Sequence, residues 1–280
     1  MDLEAGENLD ERKKVFGQIG DIYITVEGGP GVAQEARDAF KRGAAIVPLM
    51  RTGGASEGQF GFPPEALKPP AFAEAAHWEL LQRADVPVVD SIAAAAHIVA
   101  GFASQGSPGA PAEVQQKAPQ MVGALGPAWT RGEIERPAGQ ENMGTWTASV
   151  YTQEQQARLR VDKFGKPLAS VVPDAIPQAE AASREIVPGE ETVGMPGGLR
   201  TSVAQAAESL ASQIGPGIRI CVLGGTAFRG PDSEALTAGL AAELDAAFGE
   251  VAVFITGGMA GVQETFAKHC PNSRVFNLLQ

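Results

Sequence analysis

The sequence predicts an α/β fold, a parallel sheet with helices on both faces, and three stretches carry that prediction. Asp21-Ile22-Tyr23-Ile24-Thr25-Val26 is an apolar, β-branched run that ends in the glycine-rich turn Glu27-Gly28-Gly29-Pro30-Gly31 and passes into a helical pattern from Ala33 to Arg42. The same device returns near the other end, where Val251 to Ile255 leads through Thr256-Gly257-Gly258-Met259-Ala260-Gly261 into a helix beginning at Val262. Ile218 to Leu223 is a third apolar run, closed by Gly224-Gly225-Thr226. Strands alternating with helices make right-handed parallel units, and in an open parallel sheet all three glycine turns fall on one edge. There, bare amides at the positive end of a helix form a ready site for a phosphate or another anion.

In chain order, Asn8 to Gly17 reads as a short amphipathic helix with Asn8 as N-cap and Arg12-Lys13-Lys14 in its body, a run that by itself suggests a solvated basic face. After the helix ending at Arg42, Gly43 is a natural stop. Ala44 to Met50 forms the next strand, with Arg51-Thr52-Gly53-Gly54 at the same edge as the Gly28 turn. Gly58 to Pro70 is a loop. A helix is expected from Phe72 to Arg83, a short strand at Pro87-Val88-Val89, and a second helix capped by Ser91 and running to Phe102.

From 103 to 201 proline and glycine recur too often for long elements, so this segment reads as an irregular linker. One island, Trp146 to Leu159, combines a strand-like aromatic piece with a Thr-capped helical turn, and Asp162-Lys163-Phe164-Gly165-Lys166 has too few carboxylates for a calcium loop. Order returns at Ser202, which with Gln205 forms a capping box for a helix carrying Val203, Ala207, Leu210 and Ile214. Gly215-Pro216-Gly217 ends it. The strand from Ile218, a helix with Leu236, Leu240 and Leu244 on one face, the strand from Val251, a helix to His269 and a strand from Arg274 to Leu279 follow.

With 44% hydrophobic and 20% charged residues among 280, the chain has ample material for a core. The formal charge of -11 and the lack of a long basic run argue against a nucleic-acid polymer as partner. No apolar segment approaches the ~20 residues needed to span a membrane, and the acidic start, Met1-Asp2-Leu3-Glu4, lacks a signal-peptide core, which leaves the cytoplasm as the expected compartment. Cys221 and Cys270 read as buried free thiols. His77, His97 and His269 lie far apart in sequence without metal-ligand spacing, so no metal is expected.

These residues resemble the LOG family of nucleoside 5'-monophosphate phosphoribohydrolases, often labelled lysine decarboxylase-like. In that family an Arg-Lys pair on a helix precedes a Pro-Gly-Gly-x-Gly-Thr-x-x-Glu turn; here Arg12-Lys13 precedes Glu27-Gly28-Gly29-Pro30-Gly31-Val32-Ala33-Gln34-Glu35 at the family's separation. Gly224-Gly225-Thr226 and Gly257-Gly258-Met259-Ala260-Gly261 are similar to two further family turns. The resemblance implies a Rossmann-like domain in circularly permuted order: residues 1–102 as its second half, 202–280 as its first, 103–201 as the connection. The halves then pair within one chain, between exchanging chains, or between units of a tandem array. The resemblance also implies a small-molecule nucleotide as ligand, an oligomer as the assembly and no metal or redox cofactor. Gly28, Gly29, Gly31, Val32, Gly224, Gly225, Thr226, Gly257 and Gly258 would hold the nucleotide and its phosphate, with Arg12 and Glu35 as the catalytic pair. Glu27 stands where the family has proline and Val32 where it has threonine, and both lower the expected phosphate affinity. A non-catalytic nucleotide-binding or structural module of the same fold is the rival expectation.

Overall fold

The computed structural model describes residues 1–105, 191–195, 198–272 and 274–279, all within one compact unit. The Trp146 to Leu159 island and the Asp162 to Lys166 turn lie outside the described residues. The N-terminal part supplies β1 (Asp2–Glu4), α1 (Leu9–Ile19), β2 (Ile22–Val26), α2 (Pro30–Lys41), β3 (Ala45–Leu49), α3 (Ala75–Leu80) and α4 (Val88–Ser104). The C-terminal part opens with a hairpin, β4 (Thr192–Met195) and β5 (Leu199–Ser202). It continues with α5 (Val203–Ile214), β6 (Ile218–Gly224), α6 (Ser233–Phe248), β7 (Ala252–Thr256), α7 (Val262–His269) and β8 (Val275–Leu279).

Six strands form one parallel sheet in the order β1-β8-β7-β6-β2-β3. The two ends of the chain thus complete one Rossmann-like sheet within a single chain. β2 is buried along its whole length, as a central parallel strand covered on both faces must be. Its residues alternate between two cores: Ile22, Ile24 and Val26 pack with α4, α6 and α7, while Tyr23 packs with α1, α2 and α5. Pro48 is tolerated because β3 is an edge strand. The fully buried Tyr23 hydroxyl is satisfied by donating to the Phe16 carbonyl at 2.6 Å and accepting from the Gly20 amide at 2.9 Å.

The seam between the halves is β2 against β6, in register from Ile22 opposite Ile220 to Val26 opposite Gly224. From this seam β6, β7 and β8 proceed one way and β2, β3 the other. It is therefore the switch point of the sheet, where a ligand crevice forms at the carboxyl edge. The outermost strand, β1, was not legible in its three residues. It pairs parallel with β8, so Met1 lies beside Val275 at the amino edge while Glu4 lies beside Leu279 at the carboxyl edge. Met1 and Leu279 therefore lie at opposite edges of the sheet.

Several expectations are corrected. Val88 and Val89 are the first turn of α4 instead of a strand, since Pro87 takes the extended N-cap position. Ser91 lies inside that helix, where its hydroxyl donates to the Leu80 carbonyl at 2.6 Å and accepts from Arg51 at 2.7 Å. The helix expected from Phe72 starts only at Ala75, because Pro70 to Ala73 make a turn and the Phe72 ring packs edge-on against Phe102 at 4.8 Å. The linker boundaries also move inward: α4 extends to Ser104 and the β4–β5 hairpin begins at Thr192. Glu11, on α1, fastens that hairpin by accepting from the Gly194 amide and from Arg200, both at 2.9 Å, and from the Glu7 amide at 3.0 Å. These amides and Arg200 hold its carboxyl down near 2. The capping box of Ser202 and Gln205 is present as expected.

Candidate active site at the carboxyl edge

All three glycine turns meet at the carboxyl edge, and each treats its backbone amides differently. The turn after β6 is filled. Glu27, the residue following β2, crosses the seam and accepts from the Arg229 amide at 2.9 Å and the Gly230 amide at 2.8 Å. Successive amides of this kind form an anion-binding concavity, here closed by a carboxylate from the same chain. Gly225 and Gly230 are tightly packed: a methyl group would stand 3.0 Å from the Ala227 carbonyl oxygen at the first and 2.6 Å from Ser233 Oγ at the second. Glu27 is 2% exposed and holds a left-handed φ of +55°, an unusual conformation for a non-glycine residue. The surroundings fix it at every polar atom: its amide donates to Thr52 Oγ1 at 2.7 Å, and its carbonyl accepts from the Ser56 amide at 3.1 Å and the Ser56 hydroxyl at 2.9 Å.

The turn after β7 is filled as well. Gln263 Oε1 accepts from the amides of Gly257 and Met259 at 3.1 and 3.2 Å, and the Gly258 amide donates to Thr256 Oγ1 at 3.2 Å. The Gly257 carbonyl accepts from Arg12 Nη1 at 2.6 Å, and a methyl group on Gly257 would collide with that nitrogen.

The turn after β2 is the open one. Gly29 is the N-cap of α2 and offers no side-chain cap, so the amides of Gly31 and Val32 lack a partner among the described residues. Gly29 and Gly31 are half-exposed, and the Lys13 side chain runs beside Gly31. A backbone amide pair, the positive end of a three-turn helix and a nearby ammonium together suit one anionic group.

Next to this turn, Arg12 of α1 and Glu35 of α2 face each other at 3.9 Å, 5% and 4% exposed. Arg12 is therefore no part of a solvated face, and its Nε is buried without a hydrogen-bond partner among the described residues. Burial pushes the Glu35 carboxyl up to about 7, against the downward pull of Arg12 and Lys13. Burial likewise lowers the Arg12 guanidinium, with Glu35 opposing. A carboxyl poised near neutrality is able both to give and to take a proton.

The structure thus gathers Arg12, Glu35, Gly28, Gly29, Gly31, Val32, Gly224, Gly225, Thr226, Gly257 and Gly258 at one edge, as the strand-end positions imply. Sequence reasoning missed Gln263, whose signal is only an amide side chain six residues beyond Gly257. It also missed Arg51, which reaches from the end of β3 to Asp232 at 3.2 Å and so ties the two halves together. His77 and His97, far apart in sequence, bring their rings to 4.5 Å in a tilted arrangement, and no cluster able to hold a metal occurs among the described residues. A cavity of about 530 Å³ opens instead at the amino edge, lined by Arg42, Arg219, Trp78 and Phe102, and none of the expected site residues borders it. No described helix is long and apolar enough to cross a membrane. No family model, curated protein or solved structure matches the chain.

Proposed function

We propose that this domain binds a nucleoside 5'-monophosphate at the carboxyl edge and hydrolyses its N-glycosidic bond, as a circularly permuted relative of the LOG family, assembled as an oligomer. The observation that carries this reading is the Arg12–Glu35 pair: a carboxyl held near 7 in an almost dry position, one helical turn from the uncapped start of α2. The phosphate rests on the Gly31 and Val32 amides with Lys13 alongside. Glu35 takes a proton from water as the water oxygen adds to the anomeric carbon and the bond to the base breaks, and it then gives that proton to the departing nitrogen, which regenerates the carboxylate. Arg12 orients the sugar and, through its charge, keeps Glu35 partly ionised at neutral pH. No metal or redox cofactor enters this chemistry.

A second reading is favoured by Glu27, whose carboxylate fills one of the three turns, and by Arg12, whose guanidinium is tied to the Gly257 carbonyl. In that reading the domain binds a nucleotide or serves as a building block without turnover. Release of ribose 5-phosphate from a panel of nucleoside 5'-monophosphates, measured for the native protein and Glu35→Gln, separates the two. Release lost in the variant supports the hydrolase; calorimetric binding without release from the native protein supports the module.

A further inference from the structure

We infer that Gln263, the second residue of α7, is a positioning residue for the Arg12–Glu35 pair and acts through the peptide that joins Gly257 to Gly258. The carbonyl of that peptide accepts from Arg12 Nη1 at 2.6 Å, and Nη2 of the same guanidinium faces Glu35 at 3.9 Å. Glycine stands on both sides of the peptide, with Gly258 at φ +64°, and a peptide plane flanked by two residues without Cβ turns at little cost. Three hydrogen bonds oppose the turn. Gln263 Oε1 accepts from the Gly257 amide on one side of the plane at 3.1 Å and from the Met259 amide on the other at 3.2 Å. The Gly258 amide, in the plane itself, donates to Thr256 Oγ1 at 3.2 Å. Gln263 is 4% exposed, so its oxygen holds these amides away from bulk water. Arg12 has little other support among the described residues: Nη1 lies 3.5 Å from the Leu278 carbonyl, and Nε has no partner. The tether is a matter of these bonds, whereas its consequence for turnover rests on the reading of Arg12 and Glu35 as the hydrolytic pair.

The effect is read at Glu35, whose charged neighbours are Arg12 and Lys13 from α1 and Asp38 from α2. Its titration is followed by carbon NMR of the carboxyl, assigned with Glu35→Gln, in the native protein, Gln263→Leu, Arg12→Met and the double variant. Without Gln263 the peptide turns and Arg12 withdraws. The Glu35 midpoint is then expected to rise by about one pH unit, out of the roughly 1 to 3 that a close opposite charge is worth. In the Arg12→Met background Gln263→Leu moves it no further. A residue that only packs the turn has another signature, because loosening it admits water and the midpoint stays in place or falls toward 4.5. Either of those results overturns the inference, as does an equal rise with and without Arg12. Should Gln263→Leu not fold, Gln263→Ala is titrated in its place with the same expected direction. Release of ribose 5-phosphate is measured in parallel. A rise at Glu35 with no release from the native protein upholds the positioning and removes the hydrolase. Release with an unmoved Glu35 does the reverse. Where both occur, the bend in the pH–rate profile of Gln263→Leu moves up with Glu35 while KM is unchanged.

Discussion

The turns after β2 and after β6 are built from the same parts, a buried strand, paired glycines and a helix start, and they sit side by side across the seam. One keeps its amides open beside Lys13; the other spends them on Glu27, a residue that belongs to the first turn by sequence and to the second by contact. The difference shows that similar strand ends leave different amides available, those at the start of α2 open and those of Arg229 and Gly230 bonded within the chain. The turn after β7, closed by Gln263, repeats the lesson with a neutral side chain. Chemistry, on this view, belongs to the open turn and its Arg12–Glu35 neighbours, while Glu27 ties the N-terminal part to the C-terminal part and Gln263 fixes the β7 turn within the latter.

The largest effect that would break this division is catalytic. Glu35→Gln is expected to lower turnover about 10²- to 10⁴-fold while leaving the fold intact, as judged by circular dichroism and ribose 5-phosphate release. Unchanged release would move the chemistry away from the open turn. The native pH–rate profile should bend near pH 7, where the Glu35 carboxyl changes charge.

Arg12→Met comes next, with an expected loss of about 3 kcal/mol in urea unfolding at pH 8, since it leaves a buried carboxylate unpaired and deprives the Gly257 carbonyl of its donor. The loss should shrink at pH 5, where Glu35 is neutral. A constant loss would show that Arg12 acts through packing and the Gly257 carbonyl alone.

Glu35 also sets a stability slope. Its carboxyl ionises near 4.5 in the unfolded chain and near 7 in the fold, so between these values the folded domain keeps a proton that the unfolded chain has lost. Stability from this group therefore falls as pH rises from about 4.5 to about 7, by up to about 3 kcal/mol, and Glu35→Gln should flatten the slope. Glu11 acts in the opposite sense: its depressed carboxyl stabilises above about 4.5, and that contribution fades as pH falls toward 2. Unfolding curves of Glu35→Gln and Glu11→Gln across pH 3 to 8 separate these contributions.

The smallest effect sharpens the account of the filled turns. Gln263→Ala strands the amides of Gly257 and Met259 and should cost about 1 to 2 kcal/mol in denaturant unfolding, with nucleotide binding unmoved. A loss of binding without a loss of stability would place the ligand on the β7 turn as well.

Much of the fold was legible because its signals are local. The long strands announced themselves as β-branched runs, α5 through its capping box, and α6 through Leu236, Leu240 and Leu244 at helical spacing. Pro87-Val88-Val89 failed because three apolar residues carry no period; the choice fell to α4, which buries Ile92 and Ala94 to Ala96 in the core. The positions of Arg12 and Glu35 were legible, but their burial was not, since a basic run reads alike whether α1 faces water or α2. His77 and His97 came together only because α3 packs on α4.

The sequence by itself determined the order of strands and helices, the three glycine turns and the residue types around them, because periodicity, caps and glycine conformations are properties of short stretches. Only the tertiary structure decided that β2 lies against β6, and with it every consequence at the carboxyl edge. Glu27 reaches amides some 200 residues away, and Arg12 reaches a carbonyl 245 residues away. No local pattern encodes such a contact. It arises when two distant strands must bury both faces in one sheet, and the side chains at their ends then find whatever donors the neighbouring turn presents.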